Sequence, residues 1–113
     1  MGVPSTGAII LVPFPFSDLS NSRIRPAICV ASAGRGDWIV CQVTSQPFGD
    51  LRAVQLFNSD LQTGAFRVDS YARPGKLFTM NASLMTGFIG NLKPETHDKI
   101  VGAILSILRP NKP

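Results

Sequence analysis

The sequence predicts a mainly β domain with minor α content: six or seven short strands that form a small barrel, followed by one C-terminal helix. Short apolar or alternating segments recur over the first 90 residues, and turn residues separate them at intervals of roughly 8–12 residues, which is typical of barrels. After Gly90 the apolar residues recur at helical spacing. With 113 residues, of which 44% are hydrophobic, the chain can bury a core as one domain spanning residues 1–113.

The first half of the chain contains the clearest strand patterns. Residues 8–12 form a continuous apolar run that predicts a buried strand, and the prolines and phenylalanines of 13–16 predict an extended edge segment. The small polar residues at 17–22 predict a loop. Two further apolar runs, at 24–33 and 37–45, flank a glycine-containing turn, so they are expected to pair as antiparallel strands.

The second half is predicted from shorter patterns. Strands are expected at 52–57, 66–71, 76–80 and 87–90. Turns or single helical turns are expected between them, at 58–65, 73–75 and 81–84.

The C-terminal segment has the features of an amphipathic helix. Pro94 suits the first helical position, and Glu95 in the first turn interacts favourably with the helix dipole. Lys93 lacks the short oxygen-bearing side chain of a good N-cap. Pro110 is expected to end the helix. An apolar stripe at helical spacing consists of Ile100, Val101, Ile104, Ile107 and Leu108.

Charge and targeting features exclude several classes of protein. The formal net charge of +4 permits a polyanionic partner, but the basic residues do not form the long run that marks a disordered nucleic-acid-binding tail. No apolar stretch approaches the ~20 residues of a membrane-spanning helix, and the N-terminus lacks the pattern of a secretory signal. The sequence therefore predicts a cytoplasmic protein without a membrane partner.

The cysteines and the single histidine argue against metal chemistry. Cys29 and Cys41 lie inside apolar runs, which predicts two buried thiols, with a disulfide between paired strands as the alternative. There is no Cys-x-x-Cys motif, so we expect no metal site and no cofactor. His97 falls in the first helical turn, where a solvated side chain is expected, and catalysis by a pair of histidines is impossible within one chain.

Polar residues at the ends of the two central strands are the candidate site. Antiparallel pairing places Arg25 beside Thr44, Ser45 and Gln46. Arginine stays protonated and can clamp a phosphate, while a threonine hydroxyl can donate to the same oxygens. RNA supplies its own nucleophile, the 2′-hydroxyl, so these groups would suffice for metal-free RNA cleavage. The alternative is that both are ordinary residues at strand ends, and spacing alone favours that interpretation.

Five segments, in order, resemble the MazF/PemK toxins of bacterial toxin–antitoxin pairs. They are 7–18, Arg25-Pro26, 42–46, 70–79 and 89–95. The resemblance implies an SH3-like barrel that forms a homodimer in the cytoplasm. It also implies a metal-independent endoribonuclease that cuts single-stranded mRNA at a short sequence and leaves 2′,3′-cyclic phosphate and 5′-hydroxyl ends. The catalytic residues would be Arg25 and Thr44.

The resemblance also implies a protein partner, while further RNA contacts are expected from the chemistry of the side chains near the candidate site. A cognate antitoxin would block the RNA groove with an acidic, disordered tail. RNA-binding residues are expected among Ser17, Asp18, Arg23, Ser45, Gln46, Phe48 and Arg73. For Phe48, stacking on a base and partial burial as a loop anchor are equally simple interpretations.

The sequence differs from the family pattern at two positions, and two alternative functions stay open. Ala8 stands where the family usually has an acidic residue, and Lys93 replaces the usual helix cap. The same barrel also serves a toxin that poisons gyrase and cleaves nothing. A degenerate homologue that only binds RNA or antitoxin is the other alternative.

Overall fold

Within the residues that the structure describes, 3–15 and 22–110, a seven-stranded antiparallel sheet curls into a half-barrel and is followed by one helix. The structure is a computed structural model. The elements are β1 (Ala8–Pro15), β2 (Ser22–Gly34), β3 (Asp37–Thr44), β4 (Val54–Leu56), β5 (Leu61–Gly64), β6 (Ser70–Asn81), β7 (Gly87–Leu92) and α1 (Pro94–Leu108). The spatial order is β4-β6-β3-β2-β1-β7-β5, so β4 and β5 are the sheet edges. The predicted fold class is confirmed.

Strands β2 and β3 form the predicted hairpin. Its two turn residues, Arg35 and Gly36, have φ angles of 59° and 80°. A two-residue turn with both φ angles positive matches the right-handed twist of the strands it joins. The ladder runs from the turn to the pair formed by Ala27 and Gln42.

A row of side chains crosses the sheet at the open end of this hairpin. Arg25 of β2, which pairs with Val12 of β1, and Thr44 of β3 each lie two residues beyond the last β2–β3 pair. Thr44 in turn pairs with Tyr71 of β6, and Tyr71 pairs with Gln55 of β4. Directly paired residues share a face of a sheet. The polar side chains of four neighbouring strands therefore lie side by side on one face.

The hydrophobic core is divided between the two faces of the sheet. One cluster contains Cys29 together with Phe14 and Trp38, and the other contains Cys41 together with Ile100 of α1. The cysteines thus face opposite sides, so the alternative of a disulfide between them is wrong. Burial raises the pKa of each thiol to about 12. The prediction of two buried free thiols is confirmed.

The prediction is wrong in detail between β4 and β7. Residues 66–69, expected to form the first part of a strand at 66–71, lie outside any strand, and the unpredicted strand β5 occupies 61–64. The expected turn at 73–75 is an irregularity inside β6. There the β3–β6 register shifts, because Ala72 pairs with Val43 but Leu77 pairs with Cys41. The extra residues bulge out without reversing the chain.

Helix α1 begins at Pro94 as predicted, and Lys93 makes no side-chain capping bond. The hydroxyl of the buried Thr96 donates to Asp60 Oδ1 at 3.0 Å, which ties the first turn of α1 to the segment before β5. His97 is partly buried rather than solvated, and its Nδ1 atom has no hydrogen-bond partner among the described residues. No helix in this part of the chain is both long and apolar enough to cross a membrane.

Candidate functional site

A cavity of about 390 Å³ lies at the open end of the β2–β3 hairpin. Five predicted site residues line it, together with apolar residues of β2 and β3 and two residues near the start of β6. The lining consists of Arg23, Ile24, Arg25, Pro26, Val43, Thr44, Ser45, Gln46, Val68 and Ser70. The antiparallel pairing inferred from the sequence thus brings the arginine and the hydroxyl cluster to one cavity.

Arg25 places a cation at this cavity. Its side chain is partly buried, and Nη1 donates a long hydrogen bond of 3.4 Å to the carbonyl oxygen of Ile24. Within residues 3–15 and 22–110, no carboxylate lies at ion-pair distance from it. Because arginine remains protonated and its charge is not neutralised by this part of the chain, the guanidinium can bind an anion in the cavity.

Thr44 is held in a defined orientation at the end of β3. Its Oγ1 atom accepts a hydrogen bond of 3.1 Å from the backbone N–H of Gln46, while its own proton reaches the Gln46 carbonyl oxygen only at 3.4 Å. This is a local turn in which a hydroxyl bonds backbone groups two residues on. The strong bond uses an acceptor lone pair of Oγ1, so the proton can be redirected to an anion at small cost.

The cavity wall includes two residues that the sequence did not single out. Ser70 is buried, and its hydroxyl donates to the carbonyl oxygen of Val68 at 2.9 Å. Val68 itself is 62% exposed. Both residues, with Pro26, also line a second cavity of about 600 Å³ that continues towards Phe88 of β7. Their alternating pattern indicated a strand, and no local signal places them beside Arg25.

Two other predicted RNA-binding residues, Phe48 and Arg73, lie outside the lining of this cavity. Phe48 belongs to the segment between β3 and β4 and is 83% exposed, so its interpretation as a partly buried anchor is wrong. Arg73 does not line the cavity, and its Nε atom donates to Asp50 Oδ2 at 2.7 Å. Ser17 and Asp18 fall outside the described residues.

The contact between Arg73 and Asp50 should make this segment sensitive to acid. The hydrogen bond from Arg73, followed by the backbone N–H of Arg52, holds the pKa of the Asp50 carboxyl below its usual value of 3.8. Because the Asp50 carboxyl has a lower pKa in the folded than in the unfolded state, its ionised form stabilises the folded protein at any pH above the unfolded-state pKa. This stabilisation is lost as the pH falls through the folded-state pKa. We expect Asp50→Asn to unfold at lower denaturant concentration than the wild type at pH 7.

Unfolding in denaturant at pH 7 and well below pH 3.8 measures this contribution. The difference between wild type and Asp50→Asn should shrink as the pH falls through the lowered folded-state pKa of Asp50, because the carboxyl then becomes protonated and is uncharged like the asparagine amide. A difference of equal size at both pH values would show that the Asp50 charge contributes nothing.

In the described residues, no group of three or more histidine, cysteine, aspartate or glutamate side chains is arranged to hold a metal ion. The chemical groups gathered at the cavity are instead two guanidinium groups, from Arg23 and Arg25, together with hydroxyls and an amide. Such groups can bind a phosphate and stabilise negative charge that develops on it.

Comparison with known families and structures gives one consistent result. A model of the PemK-like, MazF-like toxins of type II toxin–antitoxin systems matches residues 5–108. No curated protein sequence matches the chain. Among solved structures, an endoribonuclease in complex with its cognate antitoxin, from a mycobacterial species, has a TM-score of 0.73 at 18% identity, covering 97% of this chain and 99% of that one.

Two further structures have the same fold. MazF from Deinococcus radiodurans gives a TM-score of 0.73 at 19% identity, covering 96% of this chain and 98% of its own. The Mycobacterium tuberculosis toxin MazF-mt6 gives 0.69 at 15% identity, covering 93% and 99%. At these identities the structures establish a common fold.

Proposed function

Because the chain belongs to the PemK-like, MazF-like toxins of type II toxin–antitoxin systems, we propose that it is an endoribonuclease. It cleaves single-stranded mRNA at a short sequence and needs no metal ion. The observation that carries the proposal is the presence of Arg25 and Thr44 in the lining of one open cavity. Solved structures of the same fold include endoribonucleases, which supports this activity.

The proposed reaction uses the nucleophile of the substrate. The 2′-hydroxyl loses its proton as its oxygen attacks the adjacent phosphorus, and the 5′-oxygen takes up a proton as its bond to phosphorus breaks. The products are a 2′,3′-cyclic phosphate and a 5′-hydroxyl, with no net change in protons. Arg25 binds the phosphate and neutralises the charge that develops on it, and the Thr44 hydroxyl donates to a second oxygen. The cavity holds the ribose and phosphate in line. DNA lacks the 2′-hydroxyl and would bind without being cut.

The surface at and around this cavity is proposed to bind both the RNA substrate and a cognate antitoxin. Arg23, Ser45 and Gln46 lie in the cavity lining and can contact the RNA backbone and bases, and Phe48 and Arg73 are proposed contacts outside it. Ser17 and Asp18 are further proposed RNA contacts. A cognate antitoxin is proposed to cover this groove with an acidic, disordered tail. Two observations support the antitoxin: similar structures are complexes with antitoxins, and this chain carries a net charge of +4.

We further propose that this single domain acts in the cytoplasm as a homodimer. Ile24 and Phe88, large apolar side chains near the two cavities, are 50% and 53% exposed. Pairing two copies would remove such surface from water.

Incubation of the purified protein with a long single-stranded RNA in EDTA tests the activity. We expect discrete fragments whose new ends share a short sequence and carry 2′,3′-cyclic phosphate and 5′-hydroxyl groups. A single-stranded DNA of the same sequence should remain intact. Cleavage that requires an added divalent metal would contradict the mechanism. Toxicity without any RNA cleavage would instead favour the gyrase-poisoning alternative, and RNA binding without cleavage would indicate a degenerate homologue.

A further inference from the structure

Beside Thr44, on the side away from Arg25, the sheet carries an aromatic ring and a carboxamide that no part of the proposed mechanism uses. Tyr71 pairs directly with Thr44, and Gln55 pairs directly with Tyr71. We propose that Tyr71 and Gln55 form a nucleobase subsite that selects the nucleotide next to the scissile phosphate. This inference rests on the proposed function and names the residues that set its sequence specificity.

The register of the sheet places the two groups within reach of a neighbouring nucleotide. Adjacent strands are roughly 4.8 Å apart, so Tyr71 lies about one strand spacing from Thr44 and Gln55 about two. Directly paired side chains point to the same face. Tyr71 and Gln55 lie outside the lining of the cavity, so the proposed subsite is beside it, with Tyr71 at the distance of an adjacent base from a phosphate that the Thr44 hydroxyl binds.

Burial on the opposite face holds this pair in place. Leu56 is buried and Val54 packs against the same hydrophobic cluster, and these residues flank Gln55 in β4. Ala72, which follows Tyr71, is fully buried in that cluster. Anchoring of the alternate residues fixes the face that Tyr71 and Gln55 present. A rigid strand pair positions a base more accurately than a loop does.

The chemistry of the two side chains suits a base rather than a phosphate or an acidic peptide. Both are uncharged and partly exposed, and within the described residues neither side chain forms a hydrogen bond. A tyrosine ring stacks on the face of any base, which provides affinity. A glutamine amide offers both an acceptor and donors to a base edge, which provides discrimination. Along this row of side chains the charge thus falls from a cation at Arg25 to neutral groups at Tyr71 and Gln55. A nucleotide has the matching arrangement, with a charged phosphate at one end and a neutral base at the other.

Sequencing of the RNA ends left by each variant tests the division of roles. We expect Gln55→Ala to weaken the base preference at a single position next to the cut while leaving the other positions unchanged. Tyr71→Ala should raise KM by about 5- to 150-fold, the range measured when one stacking side chain is removed, and Tyr71→Phe should recover most of this loss. Gln62→Ala is the matched control, because Gln62 lies exposed on the opposite edge strand β5. An unchanged preference in Gln55→Ala together with an unchanged KM in Tyr71→Ala would overturn the proposal.

A spectroscopic test does not depend on cleavage or on a stable variant. Tyr71 is the only tyrosine of the chain, so 3-fluorotyrosine labels this position alone. Titration with an RNA oligonucleotide that carries a 2′-deoxy nucleotide at the cleavage site should shift the single ¹⁹F resonance. A resonance that stays unchanged while the oligonucleotide binds would overturn the subsite. Failure of the wild type to cut RNA would instead overturn the proposed function, and the ¹⁹F titration would still decide whether a nucleotide contacts Tyr71.

Discussion

Replacement of Arg25 by alanine is expected to reduce the rate of RNA cleavage by about 10³- to 10⁵-fold, the range found when an arginine that stabilises a phosphoryl-transfer transition state is removed. The loss should be this large because Arg25 brings a cation to the cavity lining and no described carboxylate neutralises it. The fold should survive, since the side chain is partly exposed and its bond to Ile24 is long. Single-turnover cleavage of a defined oligonucleotide measures the rate.

Two variants at the same cavity make this result specific. Arg25→Lys retains a positive charge but loses the planar fork that binds two phosphate oxygens, so its rate should fall between those of wild type and Arg25→Ala. Thr44→Ala removes one neutral donor and should cost about 10²-fold or more. Unfolding curves establish that each variant is folded. If Arg25→Ala is folded and cleaves at the wild-type rate, the catalytic site lies elsewhere in the molecule.

The parts of the fold that follow from local rules could be predicted from the sequence. The β2–β3 hairpin depends on a two-residue turn at Arg35 and Gly36 between two apolar runs, and such turns fix the register of the strands they join. The turn therefore predicts that these two strands pair, but two register shifts, between Ser32 and Gly34 and between Cys29 and Ala31, set the final alignment that brings Arg25 beside Thr44. Helix α1 was equally predictable, because Pro94 and the apolar stripe define its start and its buried face.

The parts that depend on pairing between distant strands could not be predicted. Ser70 and Val68 reach the cavity wall because β6 lies beside β3, and Gln55 reaches the row because β4 lies beside β6. Nothing in residues 66–70 indicates these neighbours, and their alternation predicts a strand that starts at residue 66, whereas β6 starts only at Ser70. Strand β5 was missed for a similar reason, because residues 58–65 include residue types typical of turns. Gly64 is not in a turn but allows the backbones of β5 and β7 to lie close together.

Gly64→Ala should lower the free energy of unfolding by about 2–5 kcal/mol, because Gly64 lies in close contact with the backbone of β7. Gly64 pairs with Gly90 across β5 and β7, and a Cβ atom on Gly64 would overlap the carbonyl oxygen of Ile89. Its φ of +86° adds strain for any other residue. The left-handed conformation costs roughly 1–2 kcal/mol, and overpacking typically adds 1–3 kcal/mol.

Gly49→Ala separates these two contributions. Gly49 also has a positive φ, +68°, but an added Cβ would have no heavy atom within 4 Å. It should therefore show the conformational strain alone, about 1–2 kcal/mol. Denaturant unfolding of both variants measures the difference, and equal losses would mean that β5 moves away from β7 at no cost. Because β5 is the edge strand opposite β4, the folded fraction of Gly64→Ala should retain the cleavage rate of the wild type. Loss of activity in the folded protein would mean that the β5–β7 contact also shapes the catalytic cavity.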